Sequence, residues 1–291
     1  MIEDALKAGK AAARARYLAL KLVKPGVKII DIANALEDEI IKQGCVVGFP
    51  CNISINDIAA HDTPMINDDR VIMKGDLVKV DIGACSNGVL SDTARTIEAG
   101  VVKDSQIIKC IDECMEEALK VIKSGAKISG VGNVVGGVAE KYGFTIVKNL
   151  VGHGLGEYIV HTGISIPNYR NNDPGIFKDG DLVAIEPYIT KGVGKAVNLN
   201  RTELFSLRQV KSLRIRKGRQ LLDWIVKERR TLPFCKRWLT GYGHQLDFIL
   251  NDMVKQGVLV KYPVLRESGK MPVAQKEHTI LLADEPIITT K

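Results

Sequence analysis

No stretch of this 291-residue chain is long and apolar enough to span a bilayer. Its first segment, MIEDALKAGKAAARARYLALKLVKPG, is a charged amphipathic helix lacking the uninterrupted apolar centre of a signal peptide. Both absences predict a cytoplasmic protein with no membrane partner. The six cysteines, Cys45, Cys51, Cys85, Cys110, Cys114 and Cys235, form no C-x-x-C pair and lack the spacing of a small disulfide scaffold. Reduced thiols are therefore expected, with Cys110 and Cys114 a buried pair one helical turn apart. Phosphate loops are missing as well. Gly152-His153-Gly154-Leu155-Gly156 does not fit G-x-G-x-x-G at the start of a helix, and Gly125–Gly130 runs into Val131-Gly132 where a P-loop needs Lys and Ser or Thr. A net charge of +7 gives mild attraction to polyanions without defining a nucleic-acid binder.

What is present is organised around Met73–Thr96, MKGDLVKVDIGACSNGVLSDTART. Leu77–Cys85 is apolar and β-branched, Ser86-Asn87-Gly88 supplies turn chemistry, and Val89–Thr96 returns as a second strand. Each strand carries an acid in its interior, Asp81 and Asp92, and folding the hairpin brings them to nearly facing positions. Two carboxylates held that close repel, so one is forced neutral unless a cation lies between them.

The chain also repeats itself. Leu22–Gly44 aligns with Val121–Gly143 at a constant offset of 99, sharing Lys24/Lys123, Gly26/Gly125, Lys28/Lys127, Ile29/Ile128, Asn34/Asn133 and Gly44/Gly143. GDLVKVDIG (Gly75–Gly83) is echoed by GDLVAIEPY (Gly180–Tyr188) at an offset of 105. Each half reads as helix, turn, helix, then a strand opened by Gly-Asp and closed by an acid. This predicts an α+β internal duplication about a pseudo-twofold axis, with a site at the junction. Glu186 stands where Asp81 stands in the first half, while Asp92 has no counterpart in the second GDLV unit. Helices are expected to about Lys24 and over Ile30–Gln43, and short strands at Val46–Phe49, Ser54–Ile58, Thr145–Val147 and Tyr158–His161. After Glu186 about 90 residues pass before Glu277. The portion Leu207–Val260 reads as a mainly helical insertion, basic at RQVKSLRIRKGRQLLDWIVKERR, before a return to the sheet at Val273–Ala283.

Two further residues complete a donor set. His153 sits among glycines that let backbone and ion approach closely, and Glu277 leads into the apolar strand Ile280–Ala283. Asp81, Asp92, Glu186 and Glu277 with one imidazole form an oxygen-dominated set of the kind that suits Mn, Fe(II), Co or Zn, with carboxylates able to bridge two ions.

This arrangement resembles the methionine aminopeptidases, of the pita-bread (creatinase/aminopeptidase) metallopeptidase fold in peptidase family M24. The resemblance spans essentially the whole chain. It implies that Asp81 binds a first divalent ion, His153 and Glu186 a second, and that Asp92 and Glu277 bridge both. The family's substrate histidines match His61 in Ala59-Ala60-His61-Asp62-Thr63-Pro64 and His161 in Tyr158-Ile159-Val160-His161-Thr162-Gly163. Glu186 is expected to serve also as general base, with Phe49 and Val160 as walls of a methionine pocket. The basic insertion and Thr231-Leu232-Pro233-Phe234 are similar to the type 2 subfamily, and the short amino-terminal region to its archaeal-type members. Residues 1–190 and 268–291 are then the catalytic domain, and 191–267 an inserted, winged-helix-like subdomain. The resemblance further implies cleavage of N-terminal methionine before a small second residue, on peptides and nascent chains. A monomer is expected, with transient ribosome contact through the basic insertion. The same fold also carries prolidase and aminopeptidase P activities, and proteins that bind without catalysis; possession of all five ligand positions argues against the last.

Overall fold

The computed structural model describes residues 1–101, 105–283 and 285–291. Alanines at 5, 8, 11, 12, 15 and 19 put a narrow apolar stripe along α1 (Ile2–Leu22), which buries it on the first-half sheet. Helix α2 (Ile29–Lys42) has Ile29, Ile32, Leu36 and Ile40 at helical spacing, all fully buried. Each such side chain contributes about 1.5–3 kcal/mol when removed from water.

The strands they cover are β1 (Val46–Ile55), β3 (Leu77–Ser86) and β4 (Val89–Glu98), with β2 (Ile58–Ala60) following β1. The order β1-β3-β4 is antiparallel throughout. Asn87 (φ 48°) and Gly88 (φ 93°) are both left-handed, as a two-residue hairpin turn with the right twist requires. The sequence predicts two short strands at 46–49 and 54–58. One continuous strand runs instead from Val46 to Ile55, because register shifts around Phe49 let it bend without breaking its ladder to β3.

The second half repeats the plan with α3 (Gln106–Val121), α4 (Ser129–Lys141), β5 (Thr145–Ile146), β6 (Gly152–Gly154), β7 (Ser165–Ile166), β8 (Leu182–Ile185) and β9 (Tyr188–Thr190). The duplication extends to single hydrogen bonds. Gly26 N donates to Ile72 O at 2.7 Å, and Gly125 N to Phe177 O at 2.8 Å. Met73 N donates to Asp76 Oδ2 at 2.7 Å, and Lys178 N to Asp181 Oδ2 at 2.8 Å. Gly75 and Gly180, the glycines opening the two GDLV strands, have φ of 86° and 79°. No strand forms at Tyr158–His161: Tyr158 is left-handed (φ 56°), and a single Gly156–Ile159 bridge closes a tight turn there.

Residues 196–267 hold β10 (Ala196–Leu207), α5 (Arg216–Trp224), a π-helical turn at Ile225–Arg229, β11 (Phe234–Cys235), a 3-10 stretch, α6 (Leu246–Lys255) and β12 (Leu259–Glu267). Two long strands thus frame the helices. They pair with each other, β12 also pairs with β2, and the sheet order is β11-β10-β12-β2. The amphipathic helices close on their own core of Phe205, Leu221, Ile225, Phe234, Ile249 and Met253.

The chain returns as β13 (Val273–Gln275), β14 (His278–Leu281) and β15 (Ile287–Ile288). The expected strand 273–283 is split because β13 pairs with β9 and β14 with β8. At the break, Glu277 N donates across to Ala94 O at 3.0 Å. This supplies the missing counterpart of Asp92. The Asp81 strand pairs with the Asp92 strand, and the strand leading into Glu186 pairs with the segment carrying Glu277.

Buried Glu37 on α2 fastens the 196–267 region to the first half. It accepts from Arg237 Nη2 at 2.7 Å, from Trp238 Nε1 at 2.9 Å and from Cys51 N at 3.0 Å. Removing one partner of a buried pair strands the other, so Glu37→Ala is expected to lower unfolding free energy by about 3–5 kcal/mol. Chemical denaturation of the two proteins measures the difference, and a loss below 1 kcal/mol is incompatible with this role.

Candidate metal centre

Strand alternation decides which side chains meet. Val78, Val80, Ile82 and Ala84 of β3 point into the core under α1 and α2, so Asp81 and Gly83 face the opposite way. Asp81 lies opposite Ala94 and Gly83 opposite Asp92, which makes the two acids diagonal neighbours on one face. Gly83 leaves room for a ring: a Cβ there would stand 2.3 Å from Phe49 Cε1.

His153 is presented by β6, which is squeezed on both sides. A Cβ on Gly152 would lie 2.6 Å from Ala184 O, and one on Gly154 would lie 2.2 Å from Thr162 Oγ1. Only glycine allows β6 this close to its neighbours. His153 Nε2 then stands 3.5 Å from Glu186 Oε1 and 3.8 Å from Asp92 Oδ2. Asp92, His153 and Glu277 each offer a donor atom within 4.8 Å of the others. Gln275 Nε2 lies 3.5 Å from Asp81 Oδ2, and Asn52 is the register partner of Asp81 on β1.

All nine residues singled out in the sequence line one cavity of about 340 Å³: Phe49, His61, Asp81, Asp92, His153, Val160, His161, Glu186 and Glu277. The His153 and His161 rings lie 4.2 Å apart. His61 is held in a left-handed conformation (φ 62°), and its Nδ1 lies 3.3 Å from Pro263 O. A carbonyl only accepts, so the proton is on Nδ1 and Nε2 is left as an acceptor. The next residue, Asp62, is 1% exposed and takes Arg70 Nη1 at 2.8 Å and Arg201 Nη2 at 2.7 Å, which pins the loop to β10.

The donor set fits divalent cations. Asp81 Oδ1, Asp92 Oδ1 and both Glu277 carboxylate oxygens are buried without a hydrogen-bond partner. Among the described residues, the only cationic group within ion-pair distance of any of the four acids is His153. Burial pushes the His153 imidazole down to about 3, so it offers a lone pair and no positive charge. Burial and mutual repulsion hold Asp92, Glu186 and Glu277 well above the usual carboxylate range, and burial raises Asp81 to about 6. Acids in this state would release their protons to solvent as a cation binds.

Comparison with known proteins gives the family. The family model for Metallopeptidase family M24 matches residues 3–213. The chain belongs to the metallopeptidase family M24. Within this family it is 40% identical to the methionine aminopeptidase of Thermococcus onnurineus, over 97% of each chain. It is 37% identical to that of Methanothermobacter thermautotrophicus, over 98% of this chain and 97% of the other. Solved structures share the pita-bread fold. A thermophilic Arx1 superposes with a TM-score of 0.86 at 18% identity, covering 99% of this chain and 90% of that one. The Thermotoga maritima methionine aminopeptidase gives 0.73 at 23%, covering 100% and 96%. The M24 chain described here has no helix, among the described residues, long and apolar enough to cross a membrane, and its six cysteines are free.

The sequence left other residues around the site unremarked. Asn52 lines the cavity beside Asp81, Gln275 reaches Asp81 from β13, Tyr188 lies two residues after Glu186, and Tyr262 packs edge-on to His61 at 5.8 Å. Asn52 and Gln275 had no readable signal, since only strand pairing places them there.

Raised carboxylate pKa values mean that the metal-free fold holds protons its unfolded chain has released, so its stability falls as pH rises. The depressed histidines act oppositely, but only below about pH 6.5, the ordinary value of the imidazole. Between pH 6.5 and 8.5 the gap in Tm between metal-loaded and metal-free protein is therefore expected to widen. Lys79 and the buried thiols titrate in both forms and largely cancel from the difference. Scanning calorimetry at three pH values checks this; a constant or narrowing gap contradicts the protonated-acid picture.

Proposed function

We propose that the chain removes N-terminal methionine from peptides and nascent proteins, preferring a small second residue, with two divalent ions (Mn, Fe(II), Co or Zn) in the cavity. Asp81 would hold the first, His153 and Glu186 the second, and Asp92 and Glu277 would be shared by both. One observation carries this reading: buried carboxylate oxygens with no partner converge with a neutral imidazole in one cavity, in a chain whose full-length relatives are methionine aminopeptidases. When bound, such ions lower the pKa of a water toward neutrality and polarise the scissile carbonyl.

The protein's own groups supply the rest. Glu186 acts as general base, taking the proton of the attacking water and passing it to the departing amine. His61, neutral with its proton on Nδ1, accepts from the scissile N–H through Nε2. His161 at the cavity mouth donates to the substrate carbonyl or the oxyanion, a contact worth on the order of 10²–10³ in rate. Phe49 and Val160 form the methionine pocket with Leu204 and Leu265 nearby, and the His61 loop crowds the position of the second residue. In this reading residues 1–190 and 268–291 are the catalytic domain and 191–267 a type 2 insertion. The exposed bases Arg208, Lys211, Arg214, Arg216, Lys217 and Arg219 would meet ribosomal RNA in a salt-reversible contact, with the enzyme a monomer.

The purified protein is expected to release methionine from Met-Ala-Ser, to lose activity with a chelator, and to cleave Met-Ala in preference to Ala-Pro peptides. Asp92→Asn is expected to abolish turnover while circular dichroism stays unchanged. Absence of release under Mn, Fe(II) and Co refutes the assignment, and activity retained by Asp92→Asn refutes the bridging role.

A further inference from the structure

On the reverse side of the strands that carry Asp92 and Glu277 lies a second, smaller pocket of about 140 Å³. The alternation that sends Asp92 and Glu277 into the main cavity sends Thr93, Arg95, Lys276 and His278 the other way. Arg95 and Lys276 are bridge partners across the two strands. Together with Arg16 of α1, His278 and Lys291 they line the pocket.

The charged side chains here are of one sign. Arg16 is 4% exposed and has no carboxylate partner among the described residues. It donates through Nη1 to Thr93 Oγ1 at 2.6 Å and through Nη2 to Thr290 O at 2.9 Å, while its Nε is buried without an acceptor. His278 Nδ1 lies 3.2 Å from Arg16 Nη1 and 2.8 Å from Thr290 Oγ1. An arginine only donates, so this Nδ1 is the acceptor and the His278 proton is on Nε2. No side-chain ion pair or hydrogen bond engages Arg95 among the described residues. Lys276 pairs with Asp112, the only carboxylate bonded to any of these groups. Apart from the Tyr17 hydroxyl and the His278 Nδ1, which is taken up by Arg16, every polar side-chain group lining the pocket is a donor. A buried guanidinium and its neighbours of like charge are costly without a counter-ion.

We propose that this pocket is a binding site for a small tetrahedral oxyanion of the phosphate class. Its volume of about 140 Å³ admits one such group. Planar guanidinium forks match two oxygens of a phosphate at once, and Lys276 and Lys291 add point charge. The site is separate from the metal centre, because its ligands stand on the opposite face of the strands.

Isothermal titration with inorganic phosphate tests the assignment on the metal-loaded protein and on Asp92→Asn, Arg95→Ala and Lys291→Ala. One saturable site per chain is expected to persist in Asp92→Asn and to weaken tenfold or more in Arg95→Ala, with sulfate competing and chloride not. Arg95 is half-buried and unpaired, so Arg95→Ala should keep the fold, which circular dichroism checks; Lys291→Ala, at an exposed side chain, gives the same reading with a smaller loss. Binding lost in Asp92→Asn but unchanged in Arg95→Ala and Lys291→Ala places the phosphate on the metal centre and overturns the proposal. So does the absence of a saturable site, or equal competition by chloride.

Discussion

Four carboxylates converge in one cavity with no Lys or Arg among the described residues paired with them. Two unit charges 4 Å apart repel by about 4 kcal/mol at an effective dielectric constant of 20, so the arrangement survives only if the scaffold cannot relax. That demand accounts for the architecture around it. Asp81 and Asp92 are fixed by an antiparallel hairpin with a left-handed turn, and Glu277 is fixed by a main-chain hydrogen bond to Ala94. His153 rides a strand that only glycines allow so near its neighbours. A flexible loop would let these acids swing apart into water, and the affinity for cations would go with them.

The duplication solves the same problem in pairs. Each half contributes a Gly-Asp-opened strand and an antiparallel partner, and the acid that follows the Gly-Asp opening, Asp81 or Glu186, lies beside an acid of the partner segment. The helix pairs behind are repeated down to the bonds made by Gly26 and Gly125. A charge cluster that no single sheet edge could enclose is closed by placing two copies face to face. The 196–267 region then adds what the duplicated frame lacks: Leu204, Pro233, Tyr262 and Leu265 roof the cavity.

Much of this was legible in the sequence, for identifiable reasons. The repeat is carried by glycines at turns with positive φ and by Asp side chains capping those turns, and such local requirements leave a fixed mark in the chain. The hairpin was legible because Asn-Gly between two β-branched runs has few other uses. Pairing across long separations was not. Nothing local distinguishes Asn52 or Gln275 from any buried amide until β1 and β13 are set beside Asp81. The turn at Tyr158 reads as a strand because Tyr, Ile and Val favour one, and tertiary contacts from Arg230 and Thr231 override that preference. The long strands β10 and β12 were hidden by the helices between them, which dominate the composition.

The strands bounding the helical segment also bear on the chemistry. His61 occupies a backbone conformation that a non-glycine residue adopts at a cost of order 1–3 kcal/mol, and such strain persists only where surroundings over-determine it. Alongside Arg70, which also holds Asp62, two restraints come from the 196–267 region: Arg201 on β10 pairs with Asp62, and Pro263 O on β12 accepts from Nδ1–H. The imidazole that faces the scissile bond in the proposed reaction is therefore set, in conformation and in tautomer, by a segment that supplies none of the acids. Metal binding and the placement of that imidazole are assigned to different parts of the chain. In the proposed reaction, changes in the 196–267 region can then alter which second residue is accepted while the acid cluster stays as it is.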